Sequence, residues 1–485
     1  MKKGMAMVVA LLFLLTLPLS AAPYDTYTYV NASDGVYDVS APAAYIPGAT
    51  LTSVELGVEL EQPEDLYCDQ DGNFYIVDTS KSAVYAFSPD WKLRYTLDTF
   101  KKGEEEDSLY APEGVCVDFS GNVWVADTGN YRLVCFDEAG NYVLEIGTPT
   151  SALLDETFEF SPIKVVVDEV GRIFTVCRNV FDGLVQVTTE GKFVGYVGSN
   201  YAKGNWYEQL WQSIMTEEQI GQRQDFVPME YANICLDTEG FLYVTTAVSE
   251  VENPIRRLNS SGEDVMVRKA INGIAKVAGD VTAPTDSPSS MVDVAAGEKG
   301  IFYALDSTRG RIFAYDEDGN MLFEFGGINT YQQGTFIQPS SLAVRGKSIY
   351  VLDREKRAVV EFVPTDYAAN IYDALATYRT SHYEDSLSIW QTVLKQNSNF
   401  DLAYAKAGFC LYRMKDYQGA MEYFSIANDR DSYSMAMTKY RNLWLNEHFV
   451  LCAVVLGAVV VLGVGTGIFV HRRRRRKQKE GGAQL

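Results

Sequence analysis

The chain of 485 residues predicts an all-β six-bladed propeller followed by an α-helical segment and a single transmembrane helix. Three observations carry that reading. A strand-and-turn unit recurs six times between residues 62 and 362, its strands are short and β-branched or aromatic, and residues 449–470 carry no charge. One such unit cannot bury its apolar face alone, so copies of roughly 40–50 residues must stack around an axis.

The repeat is anchored by a turn residue followed six positions later by a strand end. The pairs are Gly72/Asp78, Gly121/Asp127, Gly171/Cys177, Gly240/Thr246, Gly300/Asp306 and Lys347/Asp353. Between them, Phe74-Tyr75-Ile76-Val77, Val123-Trp124-Val125 and Ile349-Tyr350-Val351 suit strands covered on both faces. Each unit opens upstream, most clearly at Pro63-Glu64-Asp65 and Pro112-Glu113-Gly114. A third strand and a fourth follow, as in Arg132-Leu133-Val134-Cys135-Phe136 and Tyr142-Val143-Leu144-Glu145-Ile146. The sixth unit stops at Pro364 without a fourth strand. An open edge invites aggregation, so residues 51–60, just before the first blade, are expected to supply the missing strand.

At Asp127-Thr128-Gly129-Asn130-Tyr131-Arg132 the chain resembles the NHL repeat, whose core reads Asp-Thr-x-Asn-x-Arg. Asp306-Ser307-Thr308-Arg309-Gly310-Arg311 matches except for Arg at the Asn position, and Asp78-Thr79 keeps only the start. The resemblance spans residues 61–365 and implies the fold. NHL propellers bind protein, RNA or glycan and in some cases are enzymes, so it does not select a function.

The flanks assign the organisation. Residues 1–22 read as a signal peptide, with Lys2 and Lys3 before an apolar stretch and Ser20-Ala21-Ala22 at its end. Residues 23–60 form the N-terminal segment. Residues 366–447 read as helices, with Tyr383…Trp390 echoed by Tyr417…Phe424 34 residues later. That period, and the small Ala407-Gly408, resemble the tetratricopeptide (TPR) repeat. Residues 449–470 form the transmembrane helix, long enough to cross a bilayer, and the basic tail 471–485 begins His471-Arg472-Arg473. Basic flanks stay cytoplasmic, so the propeller is expected outside the cell membrane with the tail inside, single-pass. The combination resembles bacterial surface proteins associated with sugar-uptake transporters.

Charge and composition exclude several chemistries. The part between signal and span has 33 basic and 63 acidic residues, a net charge of −30, which argues against nucleic acid. The three histidines, His382, His448 and His471, lie outside the repeats. A His-ligated zinc of the amidating-lyase type and Ser-His-Asp catalysis in the ring are therefore excluded. No catalytic residue is assigned. The six cysteines outside the span read as buried small hydrophobes, their pairing left open.

Candidate binding residues sit in the two widest intervals: Trp206, Tyr207 and Trp211 in the first, Arg256 and Arg257 in the second. Exposed aromatics would suit sugar or protein contact, and two arginines an anion. For a divalent cation such as calcium the candidates are Glu64, Glu113, Asp78, Asp127, Asp306 and Asp353. Because these recur once per blade, turn capping is their leading role. The expected function is recognition of a glycan or partner protein, accessory to a membrane transporter. The alternative is a metal-dependent lactonase or hydrolase in the channel.

Overall fold

A computed structural model describes residues 22–32, 35–151, 154, 158–198, 230–246, 253–267, 277, 279–282 and 287–481. Residues 1–21 of the expected signal peptide 1–22, and the stretch bearing Trp206, Tyr207 and Trp211, lie outside them.

Six antiparallel sheets form the blades of a propeller. Blade one comprises Pro63–Cys68, Phe74–Asp78, Ala83–Phe87 and Leu93–Leu97, and blades two, three and five repeat this order. Blade four shows three strands among the described residues. The first strand of each blade lines the axis. Apolar side chains such as Tyr75, Val125, Val185, Phe302 and Phe362 fill the seams between sheets. Asp69 shows why the turns hold: it accepts the Asn73 backbone N–H at 2.8 Å, and Gly72 takes φ +83° in the same turn.

Blade six is closed by Tyr45–Leu51, which pairs Leu51 with Val359 and Tyr45 with Pro364. The closing strand thus lies upstream of the expected 51–60 segment. There, Thr52 starts helix α1 (Ser53–Leu56) with a reciprocal capping box to Glu55, and Gly57 ends it at φ 68°. Local capping outcompetes strand alternation at that point. Pro47 and Gly48 make the true strand look unlike one, and Pro47 is tolerated because this strand is the outer edge. Leu51, Leu56 and Leu60 are still buried, wedged between blades six and one.

Five helices follow: α2 (Asp366–Arg379), α3 (Tyr383–Gln396), α4 (Asp401–Arg413), α5 (Tyr417–Ile426) and α6 (Arg430–Glu447). Successive helices pack on one another. Trp390 and Phe424, equivalent across the 34-residue echo, are both fully buried. Gly408 faces the Phe424 ring, where an added Cβ would approach to 2.7 Å.

These helices are not strung loosely from the propeller. Tyr367, Ile371 and Tyr372 of α2 share one apolar core with Tyr303, Phe323 and Phe362 of blades five and six. The Tyr372 hydroxyl lies 2.8 Å from that of Tyr45 and 2.7 Å from that of Tyr303. Lys406 of α4 reaches Asp316, in a blade-five turn, at 2.7 Å. Arg379 meets Glu239 and Glu317 at 3.2 Å each, on the turns of blades four and five. The helices therefore dock under the face carrying the turns between first and second strands, here called the lower face. Beyond α6, helix α7 (Phe449–Gly481) contains a 27-residue stretch, Phe449–Arg475, long and apolar enough to cross a membrane.

Candidate functional site

The first strand of each blade contributes one residue to a ring on the axis. Asp65, Gly114, Lys164, Asn233, Asp293 and Ser341 face Val77, Ala126, Val176, Thr245, Leu305 and Leu352, each one position before its blade's anchor. In blades one, three, five and six a register shift immediately precedes this position. Such a bulge re-aims the following side chain.

The ring side chains form a continuous polar chain from Lys164 through Asp65, Ser341 and Asp293 to Asn233. Lys164 Nζ lies 2.5 Å from Asp65 Oδ1, and its side chain is only 13% exposed. Asp65 also accepts the Val115 backbone N–H at 3.0 Å. Asp293 accepts the Leu342 N–H at 2.6 Å and an Nδ2 hydrogen of Asn233. The Ser341 hydroxyl is within reach of both carboxylates, 3.0 Å from Asp65 and 2.7 Å from Asp293, and accepts the Leu66 N–H. At Gly114 the blade-three strand passes so close that a Cβ would stand 3.0 Å from Lys164 Cα.

Burial dominates the electrostatics. It pushes the Asp293 carboxyl up to about 7, against the opposing pull of Lys164. Burial also works against the charge on Lys164, but Asp65 and Asp293 outweigh it and hold the ammonium above the usual lysine range.

A cavity of about 620 Å³ runs from the ring, whose side chains line it, to the lower turns at Gln70, Thr238 and Lys299. Tyr67, Cys68, Cys116 and Cys235 line its wall. The thiols are free, and burial pushes Cys68 and Cys235 up to about 12 and Cys116 well above its ordinary value. These three cysteines are consequently thiols, not thiolate nucleophiles, at neutral pH.

The expected cation ligands are dispersed. Glu64 pairs with Arg354, and Glu113 pairs with Arg178 at 2.6 Å, both on the upper side of the ring. Burial raises the Glu64 carboxyl in spite of Arg354 and Lys164. Asp78, Asp127, Asp306 and Asp353 are fully buried, each in its own blade. Asp78 accepts the N–H groups of Glu61 and Gln62, and Asp353 those of Ile337 and Gln338. Asp306 accepts from Ser290 and Thr308. Asp127 accepts from the Tyr110 N–H at 2.7 Å, Asn130 at 2.9 Å and Arg132 at 2.8 Å. That set accounts physically for the Asp-x-x-Asn-x-Arg spacing. The intervening Thr128 donates to the Pro162 carbonyl of the next blade at 2.7 Å, as Thr79 does to Pro112 at 2.8 Å. Among the described residues no cluster of three or more His, Cys, Asp and Glu side chains has the spacing for a metal ion.

Arg256 and Arg257 are neighbours on one strand, Ile255–Leu258, so their side chains leave on opposite faces. Arg257 is buried over the Phe241 ring, 3.9 Å from its centroid, and faces Asp237 and Glu239 at 3.5 Å. The two do not form a joint anion clamp.

The ring itself was missed from the sequence. Its signal lies one residue past the glutamates singled out: the third position of Pro63-Glu64-Asp65, Pro112-Glu113-Gly114, Pro162-Ile163-Lys164 and Pro339-Ser340-Ser341.

A divalent cation would find oxygen donors in Asp65, Asn233, Asp293 and Ser341, the kind such ions take. The set does not fit one as it stands, because the Lys164 ammonium already contacts Asp65 within it.

Comparison with known proteins gives partial matches. Residues 41–158 match the family described as the SMP-30/Gluconolactonase/LRE-like region. Human NHL repeat-containing protein 3 is 30% identical over 95 residues, 19% of this chain and 26% of that protein. The chain thus spans about a quarter of that relative's length. Among solved structures, virginiamycin B lyase from Staphylococcus aureus is 12% identical, covering 66% of this chain and 100% of its own, with TM-score 0.39. A putative gluconolactonase is 15% identical over 70% of this chain and 98% of its own, with TM-score 0.41. Likenesses of that size carry no argument about activity.

Proposed function

We propose that the protein is a membrane-anchored recognition propeller, displayed outside a bacterial cell, that binds a glycan or a partner protein. One observation carries the reading: the helices dock under the lower face through the Tyr45–Tyr372–Tyr303 hydroxyls and the Lys406–Asp316 pair. With α7 as the anchor, we assign the lower face to the bilayer side. That leaves the opposite face, where the strand-end aspartates tie down their loops, to meet ligand. Gly198 and Glu230, the described residues that bracket the stretch bearing Trp206, Tyr207 and Trp211, follow the last strand of blade three and precede the first of blade four, and a sugar-type transporter in the same membrane is the partner class we favour.

The test is a glycan array together with crosslinked capture from intact cells, using the full chain and a Trp206→Ala/Trp211→Ala variant. A glycan or copurifying membrane partner retained by the full chain and lost by the variant supports recognition. No specific capture in either assay counts against it.

A metal-dependent lactonase or hydrolase is the second reading, favoured by the match over residues 41–158 and by the paired Asp65 and Asp293 on the axis. Turnover of a lactone or ester panel that requires calcium or magnesium, and that Asp293→Asn abolishes, would put this reading first.

A further inference from the structure

Two buried carboxylates, an amide and a hydroxyl converge on one ring, contributed by four blades. Two carboxylates sharing a hydroxyl in a desolvated ring need a compensating positive charge. A mobile divalent ion would be one solution. This chain has another on the page: the ring position of blade three is a lysine. Its four-carbon stem carries a compact ammonium across to Asp65, 2.5 Å away. Gly114, the intervening ring position, has no side chain to stand in its path.

We propose that Lys164 is the built-in cation of this ring, and that the channel becomes a divalent-cation site only when that side chain is removed. The lysine fills the charge role that an ion would fill and denies the ion its place. Asp65 and Asp293 are then held for the structure of the axis, tying blade one to blades five and six through Ser341. The proposal goes beyond the recognition reading and does not depend on it, since ligand capture by the upper face is indifferent to what neutralises the ring.

The experiment titrates the full detergent-solubilised chain with manganese, calcium and magnesium, following manganese by its paramagnetic resonance signal and all three by calorimetry and thermal unfolding. Wild type, Asp293→Asn, Lys164→Ser and Lys164→Ser/Asp293→Asn are compared. The expected result is no ring-dependent ion in the wild type and a gain of one bound ion per chain in Lys164→Ser. That ion should raise its unfolding midpoint and be lost again in the double variant. A Lys164→Ser chain that folds only when a divalent ion is supplied supports the same conclusion. The proposal is overturned if Lys164→Ser takes up no ion, whether or not it folds. It is equally overturned if the wild type binds one that Asp293→Asn abolishes.

Discussion

Replacing Lys406 by methionine interrogates the joint between propeller and helices at its most buried charge. The ammonium lies 2.7 Å from Asp316 Oδ2 and 3.5 Å from Asp318 Oδ2, with side-chain exposures of 16%, 5% and 56%. Asp318 is mostly in water, so its contact is worth well under 1 kcal/mol. Asp316 is different, because truncating one partner of a buried pair strands the other, at about 3–5 kcal/mol. Part of that loss is offset here. Asp316 still accepts the N–H groups of Asp318 at 3.1 Å and Asn320 at 2.8 Å, and both of its oxygens reach the Asn320 amide. We therefore expect Lys406→Met to destabilise the chain by ~2–4 kcal/mol. Adding Asp316→Asn should restore most of this, since the amide oxygen can keep the backbone bonds of the turn while its charge is gone. Urea unfolding followed by far-ultraviolet circular dichroism and by tryptophan fluorescence measures both effects. A single coincident transition that moves in both signals is the expected result, because the two parts share one apolar core. Lys406→Met unfolding at the wild-type midpoint would refute the reasoning, as would a shift confined to one signal.

Three further outcomes follow from the geometry. A chain begun at residue 52 lacks the closing strand and should expose the Ala358–Pro364 edge and aggregate, whereas one begun at residue 42 should remain monodisperse on size-exclusion chromatography. Gly114→Ala should destabilise by ~1–3 kcal/mol, read from the urea midpoint, since its Cβ would press on Lys164 Cα and the Ile163 carbonyl. Burial pushes Asp293 and Glu324 up to about 7, so the folded chain holds protons that the unfolded chain releases near pH ~4. Stability should rise as pH falls from about 7 toward ~4, with Asp293→Asn and Glu324→Gln each flattening the slope. Asp316, held below the usual carboxylate range by Lys406 in spite of its burial, acts oppositely, but only at lower pH, so a comparison of pH 5 with pH 8 leaves it out, and the two substitutions separate Asp293 and Glu324 from the other raised carboxylates such as Glu64.

Blades, turns and the apolar span were legible because each depends on neighbours in the chain. A turn glycine six residues before a strand-ending aspartate, or Trp390 and Phe424 one helical repeat apart, can be read without knowing what lies across the molecule. The aspartates that are candidate cation ligands are legible as residues, and the structure supplies their partners: N–H donors in the segment just ahead of each blade's own first strand. The closing strand was misplaced by a few residues because Pro47 and Gly48 disguise it, while a capping box sits inside the segment that alternates better.

The ring on the axis is of another kind. Asp65, Lys164, Asp293 and Ser341 are separated by as many as 276 residues, and each alone is an ordinary strand residue. Local sequence determines how many sheets form and where each reverses, because the period of apolar side chains and the φ of a few glycines act over a handful of bonds. Closure of the disc decides which side chains meet at its centre. Only there does a lysine on the third blade find the carboxylates it neutralises, and only there do the helices find the turns they pack beneath.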